Sequence, residues 1–75
     1  MKCKYFFSYK STRNVLCMGE YHETLESAQK AMREMIELDK KHGLNSGEWE
    51  ISDMRAYYKD GDFAKSYRIL IMERS

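Results

Sequence analysis

Residues 24–43 read TLESAQKAMREMIELDKKHG, and the reading of this stretch decides the fold. Leu25, Ala28, Met32, Met35 and Ile36 recur at helical spacing and form one apolar stripe, with Ala31 at its margin. Glu26, Gln29, Lys30, Arg33, Glu34, Glu37 and Lys41 occupy the other side. Among them Glu26–Lys30 and Glu37–Lys41 stand four residues apart with opposite charge. Thr24 suits an N-cap, and Glu23 and Glu26 favour the positive end of the helix dipole. Lys40, Lys41 and His42 complement the other end. Gly43 supplies the left-handed residue of a C-terminal cap, and Leu44 is expected to fold back onto Leu38. Periodicity, caps and charges agree on a helix from Leu25 to His42 that buries a single face.

Working outward, Cys3 to Lys10 (CKYFFSYK) is rich in aromatic residues and reads as a strand. A polar turn at Ser11-Thr12-Arg13-Asn14 and a resumed β pattern from Val15 to Met18 complete a first hairpin. Beyond the helix, Asn45-Ser46-Gly47 is a loop. Trp49 to Tyr58 and Phe63 to Glu73 follow as two β runs around Lys59-Asp60-Gly61-Asp62. With Asp60-Gly61 as a type I′ loop, Tyr58 faces Phe63, Met54 faces Tyr67, and Asp53 faces Arg68. The expected fold class is α+β, with order ββαββ. Four antiparallel strands carry one amphipathic helix on one face. The strand order stays open: the terminal strand pairs beside either strand of the first hairpin, or the two hairpins join through the first and last strands.

Seventy-five residues fit one domain, residues 1–75, with a thin core. Absence of Pro, four Gly and 43% apolar residues describe a globular chain. No apolar run approaches the roughly 18 residues of a membrane span. The start, Met1-Lys2-Cys3-Lys4, runs into aromatic residues without a small-residue cleavage site, so no secretory leader is expected. Cys3 and Cys17 would lie too far apart in the first hairpin for a disulfide. Two free thiols fit a cytoplasmic location.

Net charge is +1, which gives no whole-molecule argument for nucleic acid or an anionic membrane. The distribution is uneven, since residues 1–19 hold Lys2, Lys4, Lys10 and Arg13 and no acid. Lys4, Phe6, Ser8 and Lys10 alternate onto one face of the first strand, with Arg13 at its turn. Aromatic rings between lysines suit single-stranded nucleic acid, and these residues form one candidate site. An ordinary edge strand whose lysines discourage aggregation is the alternative, and the small net charge and the few cations favour it.

A second candidate follows from the second hairpin. Met54, Tyr58, Phe63, Tyr67, Ile69 and Ile71 fall on one face. Trp49, Ile51, Tyr57, Leu70 and Met72 fall on the other, diluted by Asp53, Arg55 and Arg68. One helix covers only one face of a sheet. Trp49, Ile51, Tyr57, Leu70 and Met72 are therefore the expected protein-binding residues, for another protein or a second copy of the chain. The loop before Trp49 is an alternative cover for that face.

Residues able to carry chemistry are few. His22 and His42 lie at opposite ends of the helix, about 27 Å apart at 1.5 Å per residue. His22 with Glu20 or Glu23 lacks a third and fourth metal ligand at recognisable spacing. Cys17 or Ser8 as a nucleophile has only His22 nearby as a base. The glycines are scattered rather than gathered in a phosphate loop. Asp60-Gly61-Asp62 lacks the remaining ligands of a calcium loop. Neither an enzyme, nor a metal, nor a cofactor is expected.

Phe7-Ser8-Tyr9 before a short turn, Gly19 after the second strand, Thr24-Leu25-Glu26-Ser27-Ala28 opening one helix, and a terminal β pair together span most of the chain. In this layout the chain resembles small uncharacterised proteins encoded by phages and other mobile elements. The resemblance brings no functional residues. It implies a non-enzymatic role in which a compact protein occludes a host protein, inhibition of host defence and anti-CRISPR activity included.

Overall fold

A computed structural model describes residues 4–13 and 18–72. The elements run β1 (Tyr5–Ser11), β2 (Met18–His22), α1 (Leu25–Lys41), β3 (Glu48–Ile51), β4 (Arg55–Asp60) and β5 (Phe63–Ile71). They form an antiparallel sheet of five strands in the order β2-β1-β5-β4-β3, with α1 packed on one face. The hairpins thus join through the first and last strands. Tyr5 pairs with Ile71, Phe7 with Ile69 and Tyr9 with Tyr67. The nine-residue β5 is the centre of the sheet.

The helix forms where its periodicity places it. The Ser27 N–H donates to Thr24 Oγ1 at 3.1 Å, which satisfies one of the unpaired donors of the first turn. At the other end His42 is the C-cap and Gly43 has φ +116°. Leu44 N–H donates to the Asp39 carbonyl and Gly43 N–H to that of Lys40, the two bonds of a Schellman cap. Ala28, Met32 and Ile36 are buried, and Leu25, Ala31 and Met35 are packed against them. These side chains meet Phe7, Tyr67 and Ile69 on the sheet. Among the described residues no helix is long and apolar enough to cross a membrane.

The second strand, expected over Val15 to Met18, runs instead over Met18–His22, so Gly19 lies within it, and residues 14–17 are outside the described residues. Three further expectations are corrected. The run from Trp49 to Tyr58 is not one strand, because it folds back at Ser52-Asp53-Met54 into β3 and β4, which makes five strands instead of four. The Ser52 N–H closes this turn on the Arg55 carbonyl at 2.8 Å. The phase of the apolar residues marks it: Trp49 and Ile51 are odd-numbered, whereas Met54, Ala56 and Tyr58 are even. One strand cannot send both sets to the same face.

The second correction concerns the β4–β5 turn. Asp60 pairs with Phe63, so the loop is Gly61-Asp62, and Tyr58 faces Lys65 instead of Phe63. Gly61 alone has positive φ, at +60°, the pattern of a type II′ turn and not of type I′. A one-residue shift of the loop moves every cross-strand partner by two. Face parity survives, which is why Tyr58 and Tyr67 still face the helix.

The third correction follows from the first. Trp49 pairs with Tyr58 and Ile51 with Ala56, so both stand on the helix side of the sheet. Neither shares a face with Tyr57, Leu70 and Met72. The Trp49 ring lies 5.7 Å from that of Tyr67 and 4.8 Å from that of Tyr58. Its indole N–H donates to the Leu44 carbonyl at 2.9 Å. Trp49 therefore covers the end of the core beyond the helix, beside Tyr58.

Candidate functional site: the uncovered sheet face

Strand alternation and the pairing registers assemble the face opposite the helix in rows. Tyr21, Phe6 and Leu70 form one row, and Gly19, Ser8, Arg68 and Arg55 the next. Lys10, Ser66, Tyr57 and Glu50 form a third. Thr12, Ala64, Lys59 and Glu48 follow, while Met72 closes the first end by donating its N–H to the Lys4 carbonyl. Two candidate sets that are separate in sequence thus converge. Lys4, Phe6 and Lys10 share this face with Tyr57, Leu70 and Met72. Arg13 does not join them, because its guanidinium lies 5.3 Å from the ring of Phe63, a residue of the helix side.

The apolar groups gather at one end. Tyr21 is 59% exposed, Leu70 42% and Met72 39%, values that leave them open to a partner. Phe6 stacks on Tyr21 with ring centroids 4.8 Å apart and lies over Gly19. A Cβ at position 19 would stand 2.5 Å from Phe6 Cζ and 2.6 Å from the Phe7 carbonyl oxygen, so the ring needs the glycine beneath it. Ser8 is buried beneath its longer neighbours.

Charge runs along the face, with the two arginines in its middle row. Lys4, Lys10, Arg55, Lys59 and Arg68 project from this face, against Glu48 and Glu50 on the edge strand β3. Arg55 and Arg68 are direct cross-strand partners, and among the described residues neither has a carboxylate within ion-pair distance. A depression of about 370 Å³ is lined by Arg55, Arg68, Ser52, Glu50, Tyr57 and Ser66. A second, of about 350 Å³, is lined by Lys10, Thr12, Ala64, Ser66 and again Tyr57. Tyr57, 41% exposed, and Ser66 line both.

Among the described residues no buried side-chain nitrogen or oxygen lacks a hydrogen-bond partner. Asp39 Oδ2 accepts from Lys65 Nζ at 2.6 Å and from the Tyr67 hydroxyl, both side chains of the ion pair being mostly buried. Burial first, then the hydrogen bond to Asp39 and that carboxylate's charge, push the Tyr67 phenol far above its ordinary value of 10.0. These bonds tie the last turns of α1 to β5.

His22 forms a different chain. Its Nδ1 lies 2.7 Å from Ser27 Oγ and its Nε2 2.8 Å from Glu20 Oε1. Serine, imidazole and carboxylate are in line, as in a hydrolytic triad. Here, however, Ser27 belongs to the first turn of α1 and its N–H is held by Thr24. The arrangement fastens the end of β2 to the start of the helix. His42, at the opposite end of α1, is the helix C-cap. Ser8 lies on the uncovered face, away from His22, and Cys3 and Cys17 lie outside the described residues. Among the described residues no group of three or more His, Cys, Asp and Glu side chains is placed to hold a metal ion.

Sequence reasoning missed Arg55 and Arg68 as site residues and treated them only as dilution of an apolar face. In the expected register Arg68 faces Asp53, so the arginine pair emerges only with the loop placed at Gly61-Asp62. No protein-family model, curated protein or solved structure matches this chain.

Proposed function

We propose that this chain is a non-enzymatic binding module that acts by contact through the uncovered face of its sheet, on a partner that carries negative charge. The observation that carries the reading is the pair Arg55–Arg68, without a carboxylate partner among the described residues, between exposed aromatic and apolar side chains. Like charges placed directly opposite each other destabilise a sheet. A partner's anionic groups would remove that penalty.

A protein partner is supported by the apolar end of the face, where Phe6, Tyr21, Leu70 and Met72 lie together. Occlusion of a host protein, host-defence inhibition included, is the role that the resemblance to phage and mobile-element proteins implies for such a surface. A second copy is disfavoured as occupant, because a face-to-face pair would set cations against cations. Single-stranded nucleic acid is the second reading, favoured by the position of Phe6 and Tyr57 on either side of the arginine row.

The test is a pair of charge-reversing variants on opposite faces. Leu70→Glu with Arg68→Glu should abolish capture of the partner from the native host. Glu34→Lys on the exposed side of α1 should leave it intact. Equal capture by both variants, with unchanged circular dichroism, rules out this face as the working surface.

A further inference from the structure

The uncovered face places its charges and its rings in an order that distinguishes partners. The centre of a protein-binding patch is depleted of charge, and its polar groups sit at the rim. Here the arginine row is central. The Phe6 row lies on one side and the Tyr57 row on the other, about 13 Å apart along the strands at roughly 3.3 Å per residue. Between them runs the row of Gly19, Ser8, Arg68 and Arg55, in which Gly19 is covered by the Phe6 ring and Ser8 is buried, so the arginines are its raised side chains. Tyr57 lines two depressions of this face.

We propose that this face binds single-stranded nucleic acid, with a backbone phosphate at the Arg55–Arg68 pair and bases stacked on Tyr57 and Phe6. The proposal rests on the uncovered face being the working surface. Two guanidinium groups facing each other present forked N–H donors that phosphate oxygens accept from both sides. Lys10 and Lys59 continue the positive track past Tyr57. Flat rings accept any base, so the surface takes a strand of roughly four nucleotides, the short end of single-strand sites on β surfaces, with little sequence preference. A duplex keeps its bases stacked inside and offers the rings nothing, so it binds through phosphates alone.

The test is fluorescence anisotropy of the full chain with three probes: a labelled oligothymidylate, a DNA hairpin duplex and a polyglutamate peptide. Oligothymidylate is expected to bind more tightly than either alternative, with affinity falling as salt rises. Arg55→Gln with Arg68→Gln should reduce the slope of log K against log salt by about 0.7, the share of the one phosphate that is no longer neutralised. Tyr57→Ala should weaken binding about tenfold and leave the slope unchanged. Circular dichroism of each variant confirms folding. Equal affinity for polyglutamate overturns the proposal in favour of an acidic protein. Equal affinity for duplex overturns it in favour of unspecific attraction. Absence of oligothymidylate binding at low salt also overturns it. If the variants at Leu70 and Arg68 still abolish partner capture in that case, the uncovered face stands as the working surface and only the nature of the partner is wrong.

Discussion

Arg55 on β4 and Arg68 on β5 stand directly opposite each other across the hairpin, with an apolar row at one end of them and Tyr57 at the other. Their mutual repulsion is a local cost built into a domain small enough for such costs to matter. Stability and binding therefore pull in opposite directions at this pair.

Arg55→Glu converts the like-charged pair into a cross-strand ion pair. We expect the variant to be more stable by about 0.5 kcal/mol, within the range of such pairs on sheets. Thermal unfolding at low ionic strength measures it. The gain should shrink as salt is added, since both side chains are exposed. An unchanged or lower midpoint at low salt would show that the two guanidinium groups do not repel.

Tyr67 sets an alkaline limit. Its phenol is held neutral in the fold above its ordinary value of 10.0, first by burial and then by Asp39. The unfolded chain ionises first as pH rises, so the fold binds the extra proton. This contribution is complete below about pH 10 and is lost progressively above it. Tyr67→Phe removes the effect, at the expense of the hydrogen bond to Asp39, about 2 kcal/mol at neutral pH for a bond to a charged group. Urea unfolding of both proteins from pH 8 upward should show the native chain losing stability above pH 10 and the variant losing less.

Trp49→Ala removes the ring that closes the core on Tyr58 and Tyr67, together with the bond to the Leu44 carbonyl. A loss of about 3 kcal/mol is expected, the low end for a large aromatic because Trp49 is only half-buried. Chemical denaturation measures it. Variants of Trp49 that remain folded should retain partner binding, whereas Tyr57→Ala should be near neutral for stability and impaired in binding.

Trp49 also shows how far sequence reaches. Simple alternation from Tyr57 assigns it to the face away from the helix. The turn at Ser52-Asp53-Met54 reverses that phase, and a two-state choice of face then flips for Trp49 and Ile51 together. Tyr57, Leu70 and Met72 lie beyond the break and keep their side. The Asp-Gly pair announces a hairpin, yet the loop lies one residue later than the pair suggests. Gly61 occupies the first loop position, the only one where positive φ is used.

The helix was legible to within a residue, since it ends at Lys41 and His42 is its C-cap. Thr24, the stripe through Ala28, Met32 and Ile36, and the Gly43 cap are all interactions between residues at most a few positions apart, so the local sequence contains them. An α+β class with one covered face follows from the same information. The pairing of β1 with β5 joins residues about sixty positions apart, and no local pattern encodes it. That pairing alone brings Phe6 beside Leu70 and Ser8 beside Arg68. Sequence by itself determined the helix, two of the hairpins in outline and a surplus of aromatic and basic residues. Only the tertiary structure decided that these residues meet on one surface, because long-range strand order depends on the packing of the whole core.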